Sequence, residues 1–453
     1  WQRVDLGLTA TVSENLSGYF QVRTDWQWGT NAWNGSSLRG DGFKDSFNNA
    51  DLADGGSDTG SLKVQLRQAY IDWIIPNTTV KVRMGRQPIR LPGLANGKNP
   101  AIWSKAPADG VVVSSPVTDW LSLTGFWARY ARISNDAGLD WYANHDVPFN
   151  PRDAHNGLYS ADNTRLTKEI DAFGIVADMK FDGFRFEPFV AYAHFGDAGY
   201  GGGNNNFANK INNNFAWGGR SAAIWAGFAA TLNMFDPFVA KLGFVYGDRN
   251  YRSSENIASQ HGWLVDLKAS YKLDFMTPEL LLWYGSGDSA KGMKDANGKL
   301  VNSKAGYASH GQLPGIGGRF ASTFGWGNGS HMEEPELYNN HSGAGTWGVR
   351  LGVSNVSFLE DLTHELYFAY IGGTNESECA LYGKQPWRYM TDKDGIFEID
   401  FGTKYNIYKN LSAALEVAYV IQNFKDRDGG DFAKRAADYD NAWKACLQLQ
   451  YKF

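Results

Sequence analysis

Residues 442–453 read "AWKACLQLQYKF", and the parity of that stretch decides how the rest is read. Trp443, Ala445, Leu447, Leu449, Tyr451 and Phe453 fall on one side, and Lys444, Cys446, Gln448, Gln450 and Lys452 on the other. A period of two is the signature of a strand with one apolar and one polar face.

The pattern recurs upstream. In 396–424, "IFEIDFGTKYNIYKNLSAALEVAYVIQNF", Phe397, Ile399, Phe401 and Tyr405 alternate with Glu398, Asp400, Gly402 and Lys404. After a turn at "YKN", Leu411, Ala413, Leu415, Val417 and Tyr419 alternate with Ser412, Ala414, Glu416 and Ala418. The same hairpin unit is legible at 1–29, 60–90, 109–132, 169–196, 221–248, 262–287 and 345–373. Eight hairpins and the last strand give seventeen strands.

The connections alternate in length. Turns inside hairpins are short. Connections between hairpins are long and rich in Gly, Asn, Asp and Ser: 29–60, 91–108, 133–166, 197–218, 249–260, 289–344, 374–394 and 425–439. Short turns at one end and long loops at the other belong to a bacterial outer-membrane barrel, not to a sandwich or propeller. The expected fold is an all-β, transmembrane, antiparallel up-and-down β-barrel forming one domain over 1–453.

Composition agrees. The chain has 453 residues, 15% aromatic, with 17 Trp and 52 Gly, which suits two interfacial aromatic girdles. No stretch approaches the roughly 18 apolar residues of a spanning helix, and alternating strands never build such a peak. A net charge of -5 with no basic block points away from nucleic acid. A last strand that ends the chain must close against the first, since hydrocarbon tolerates no open edge. The terminal Phe453 resembles the signal read by outer-membrane insertion machinery. Even strand numbers are the rule, so the reading expects a missing strand before Trp1 and eighteen strands in all. If 1–12 instead completes the last strand end to end, the number is sixteen.

Residues 80–103, "VKVRMGRQPIRLPGLANGKNPAIW", carry a family resemblance. A strand ending in Gly85-Arg86-Gln87 and running into a loop, set in this layout, resembles the outer-membrane homotrimeric porins of sulfate-reducing, Desulfovibrio-type bacteria. The resemblance implies a trimeric, water-filled channel narrowed by one loop that folds inward. It also implies a bacterial outer-membrane location, with outer-membrane lipid and lipopolysaccharide as surroundings and small hydrophilic solutes as cargo.

The expected constriction loop is 91–108, with Lys98 and Lys105 toward the lumen; 289–344 is expected to be a long external loop. Parity places Lys63, Arg67, Lys81 and Arg83 on a basic stretch of lumen wall, with a phase slip after Gly85 that leaves Arg86 and Arg90 unplaced. It places Glu398, Asp400 and Glu416 on an acidic stretch, and Asp266, Lys268 and Arg350 among other lumen residues. Asp109 and the acidic stretch are the expected counter-charges of the basic one. Opposed charges across a narrow passage create a transverse field that orients polar solutes. The expected result is weak anion preference.

Other chemistry is thinner. Asp392 and Asp394 in "DKDG", and Asp426, Asp428 and Asp431 in "DRDGGD", have the alternating carboxylates of hard-cation loops but no downstream Glu. Polar surface turns explain them, or Ca2+ that stiffens external loops; no cofactor is required. His310, His331, Glu333, Glu334 and His341 match no metal-ligand frame. Cys379 and Cys446 pair only if 374–394 dips toward the last strand. No catalytic constellation stands out, so a non-enzyme is expected. The leading function is passive ion and solute diffusion. A substrate-specific porin for phosphate, sulfate or organic acids is the alternative within channels. A barrel-anchored enzyme or adhesin and a soluble β-protein are alternatives outside them.

Overall fold

The computed structural model describes residues 2–26, 63–97, 99–101, 107–132, 169–195, 221–251, 260–289, 311–314, 345–377, 390–425 and 441–452. Among the described residues there is no α-helix. The strands are β1 (Gln2–Ser13), β2 (Leu16–Trp26), β3 (Lys63–Ile74), β4 (Lys81–Pro88), β5 (Pro107–Pro116), β6 (Leu121–Arg132), β7 (Glu169–Phe181), β8 (Phe184–Phe195) and β9 (Ser221–Phe235). They continue with β10 (Phe238–Tyr251), β11 (Gln260–Tyr271), β12 (Thr277–Gly285), β13 (Thr346–Leu359), β14 (Leu362–Gly373), β15 (Gly395–Tyr408), β16 (Leu411–Asn423) and β17 (Ala442–Tyr451). The seventeen strands read from the sequence are all present, in one antiparallel up-and-down sheet.

Two compact units are distinguished: Trp1–Ile89, Ser104–Ile175 and Ala191–Ala222 in the first, and Arg90–Trp103, Val176–Val190 and Ala223–Phe453 in the second. In the first, β1 to β6 pair in chain order. In the second, β10 to β17 do the same. The tight connections use residues that tolerate a left-handed backbone: Asn77, Gly183 and Asp361 all have positive φ.

The two faces differ in kind. In the second unit the register runs Leu242–Leu267–Leu282–Val349 across β10 to β13, a row of aliphatic side chains on one face. Aromatics border it. Trp263 stacks on Tyr284 at 5.2 Å, and Trp347 meets Tyr370 at 5.5 Å, near the strand ends away from the short turns. Phe275 meets Phe358 at 5.6 Å on the turn side. This face is exposed: Leu351 keeps 55% of its surface open and Leu447 keeps 72%. The opposite face of the same strands carries Asp266, Arg350, Glu398 and Asp400, all buried. β17 alternates exposed and half-buried residues from end to end, as its opening parity required.

One phase differs from expectation. The sequence predicts a slip after Gly85. The β4–β5 register instead runs without a break through Gly85↔Gly110 and Arg86↔Asp109. The irregularity lies in β3, where Gln21 pairs with Gln68 and Val22 with Leu66, leaving Arg67 as the extra residue. A bulge of one residue moves every later side chain to the other face. Tyr70 and Asp72 therefore join the polar face, and Ile71 and Trp73 the apolar one.

Val417 lies at the centre of β16 on the apolar face, in register with Phe401 and Ala445. Arg at the middle of a lipid-facing strand costs about 2–4 kcal/mol. Val417→Arg is expected to lose that much in reversible urea unfolding in lipid vesicles, while Ser412→Arg on the polar face loses far less. Equal losses at both positions would contradict the assignment of faces.

Candidate functional site

The candidate site is the polar face and the connections packed on it. Residues 90–103 group with the second unit although β4 and β5, which flank them, belong to the first. The segment lies against the polar face of β10 and β11. The amides of Ala95 and Asn96 donate to the two carboxylate oxygens of Asp266 on β11, at 2.9 and 3.0 Å. Leu91, Leu94, Ala95 and Ala101 are buried. The segment also braces itself. Gly97 N donates to Leu94 O at 2.7 Å. The Asn99 side chain donates to Pro92 O at 2.8 Å and accepts from Ala101 N at 3.0 Å.

A second connection reaches the same face. Gly311–Pro314, within the expected external loop 289–344, is held at five points. Trp225 Nε1 donates to Pro314 O at 2.5 Å, Gln260 Nε2 to Gln312 O at 3.2 Å, and Ser286 Oγ to Gly311 O at 2.6 Å. Gln312 N donates to Asp288 Oδ1 at 3.3 Å, and Gln312 Nε2 to Asn375 Oδ1 at 2.7 Å. Leu313 is 1% exposed and Asn375 fully buried. This part of 289–344 is thus packed on β9, β11 and the residues that follow β12 and β14; residues 290–310 and 315–344 lie outside the described residues.

The charges of the polar face are organised in pairs. In the first unit, Arg23 grips Asp5 with two bonds of 2.7 and 3.1 Å. Arg83 grips Asp72 at 2.6 and 2.7 Å and lies 4.0 Å over the Tyr70 ring. Lys81 shares Asp72 at 3.0 Å. Bidentate pairing fixes the guanidinium in place, whereas lysine remains a point charge on a flexible stem. The cluster therefore holds two cations against one carboxylate.

In the second unit, Glu279 collects Lys268 at 3.1 Å, Arg350 at 3.8 Å, and the hydroxyls of Ser354 at 3.1 Å and Tyr367 at 3.5 Å. The Arg350 guanidinium sits 4.4 Å from the centre of the Tyr367 ring. On β15 and β16, Glu398, Asp400 and Glu416 occupy neighbouring polar-face positions. Lys444 of β17, opposite Ala418, feels the field of all three.

Several expectations change. Lys81 and Arg83 do meet, but their counter-charge is Asp72, which the Arg67 bulge brings to the polar face, and not the expected Asp109 or acidic stretch. Asp109 shares the apolar face with Val111 and Val113, and pairs with Arg86 at 3.3 Å. It is not part of the polar-face cluster. Arg129, the register partner of Asp109, forms a bidentate pair with Asp171, at 2.8 Å for both bonds. The side chain of Lys63, and all of Lys98, Lys105, Asp426, Asp428, Asp431, Cys379 and the histidine-rich stretch 331–341, lie outside the described residues. Cys446 is a free thiol.

Asp394 is engaged by its own turn. Its Oδ2 accepts from Thr391 N at 2.7 Å and Thr391 Oγ1 at 2.8 Å, and its Oδ1 from Lys425 N at 3.0 Å. The buried carboxylate staples its own turn to the chain after β16, while Asp392 is exposed. Among the described residues no group of three His, Cys, Asp or Glu is placed to hold a metal.

No family model and no curated protein sequence matches this chain. Among solved structures, OccAB3 of Acinetobacter baumannii is similar at a TM-score of 0.52 and 10% identity, over 99% of this chain and 92% of that one. The outer membrane protein opdK of Pseudomonas aeruginosa is similar at a TM-score of 0.45 and 10% identity, over 99% and 96%. OccK11 (OpdR) of the same organism gives 0.44 and 11%, over 99% and 93%. The likeness to OccAB3 is one of fold. That fold is an antiparallel up-and-down sheet of the outer-membrane barrel type.

Asp72 is the carboxylate that two cations share. Asp72→Asn is expected to shift the reversal potential of reconstituted protein in a salt gradient toward anions. The shift should shrink at high salt as screening shortens the field. No shift at low salt would show that Lys81 and Arg83 lie off the permeation path.

Proposed function

We propose that this protein is a porin of the bacterial outer membrane that lets small hydrophilic solutes and ions diffuse passively. The observation that carries the reading is the reversal of faces: the exposed side of the sheet is apolar, and the sheltered side holds buried ion pairs. Water-soluble proteins seldom expose contiguous apolar surface beyond a few hundred Å². A face of Leu, Val, Trp and Tyr repeated on strand after strand belongs against lipid, and an ion-paired face belongs against water. Closure of the last strand on the strands at the start of the chain would leave no open edge in hydrocarbon.

The segment 91–108 is the constriction in this reading. Its support is the seat on Asp266, which holds it on the polar face rather than above it. Gly311–Pro314 narrows the same region. Weak anion preference is supported by the surplus cation at Asp72, with the Lys81 side chain 43% exposed. The Glu398, Asp400 and Glu416 group opposes it, which argues for a weak field rather than a filter. The resemblance to the homotrimeric porins of sulfate-reducing bacteria supports a trimer surrounded by lipid and lipopolysaccharide. The ion pairs Arg86–Asp109 and Arg129–Asp171 on the apolar face support it too, since paired charges within a membrane almost always face protein or water rather than hydrocarbon.

Planar-bilayer recording of purified protein tests this reading. Stepwise, ohmic channels are expected, with conductance rising when 94–104 is deleted and the reversal potential moving toward cations in Lys81→Glu. A current that saturates with one anion at low concentration would replace passive diffusion by the substrate-specific alternative. A folded protein that forms no channels would overturn the proposal.

A further inference from the structure

The seat of the inward segment rests on two residues facing each other across β10 and β11. Gly243 and Asp266 are register partners. Asp266 is 1% exposed and both of its oxygens point at backbone amides of one turn, Leu94–Gly97. Gly97 closes that turn with φ +82, a conformation other residues rarely adopt. Gly243 has no side chain where one would collide with the Asp266 carboxylate and with Leu94 Cβ, the latter at 2.6 Å. The glycine lets the turn lie flush on the wall; the carboxylate holds it there. The neighbouring wall residues Val245 and Leu264 are fully buried.

A carboxylate accepting two N–H groups makes charge-assisted bonds, which are about twice as strong as neutral ones. If it is removed, the buried amide of Ala95 and the half-buried amide of Asn96 lose this acceptor, and a buried unpaired amide is expensive. Apolar contact through Leu94 and Ala95 alone sets no fixed position for the turn.

We infer that Asp266 and Gly243 are positioning residues that set the open width of the channel, by locking the Leu94–Gly97 turn to the β10–β11 wall. The inference rests on the reading of 91–108 as the constriction. It predicts that the turn, once unlatched, samples several positions, so that the open current becomes larger on average and noisier while the barrel stays intact.

The experiment compares Asp266→Ala, Asp266→Asn and Gly243→Ala with the unaltered protein, all reconstituted and all confirmed as folded by heat-resistant mobility on gels. Two readouts are taken: single-channel current noise, and hydrogen exchange of the peptide covering 91–101. Asp266→Ala and Gly243→Ala are each expected to raise open-channel noise several-fold and exchange in 91–101 at least tenfold. Asp266→Asn, which keeps one acceptor oxygen, should fall between. Unchanged exchange in Asp266→Ala would overturn the seat itself. Faster exchange with unchanged current and noise would uphold the seat but remove the segment from the permeation path, which is failure of the constriction reading instead.

Discussion

The structure depends on the hydrogen-bonding demand of the peptide group in a medium that offers no partners. In hydrocarbon each strand must satisfy its N–H and C=O groups on its neighbours, so strands cannot stand alone or end in an open edge. β1 to β6 and β10 to β17 meet that demand by pairing in unbroken chain order. Once pairing is fixed, side chains have two places to go. Leu242, Leu267, Leu282 and Val349 take one and Asp266, Arg350, Glu398 and Lys444 take the other. The functional surface is therefore a consequence of the same period of two that builds the sheet.

Much of this was legible in the sequence because the information is local. Alternation over ten or more residues fixes a strand, and Asn77, Gly183 and Asp361 mark turns by their own backbone preference. What was not legible depends on register. The Arg67 bulge is invisible in the alternation, because Leu66, Arg67, Gln68, Ala69 and Tyr70 suit either phase. Only pairing with β2 shows the extra residue. That one slip brought Asp72 onto the polar face. On β4, unbroken pairing left Arg86 on the apolar one, opposite Asp109.

The loops were less legible still. Nothing in "LPGLANGKNPAIW" names Asp266, some 170 positions later, as its partner. Nor does "GQLP" at 311–314 announce Trp225, Gln260 and Asn375. Contacts of that kind arise from the shape of the assembled wall. A signal did exist at the receiving end. Parity makes Asp266 a lumen residue, and a glycine directly across from it at Gly243 marks a place where another backbone approaches closely. Read together, the two would have pointed to a docking place without saying what docks.

The central claim is that the polar face lines water and the apolar face meets lipid. β17 carries the means to test it, because Cys446 and Leu447 are adjacent and lie on opposite faces. In protein with Cys379→Ala, reconstituted in a bilayer, a charged, water-soluble thiol reagent is expected to modify Cys446 and lower the single-channel current in discrete steps. With Cys446→Ala and Leu447→Cys added, the same reagent should leave thiol and current unchanged. Modification of the introduced thiol in the second protein, with Cys446 inert in the first, would contradict the account.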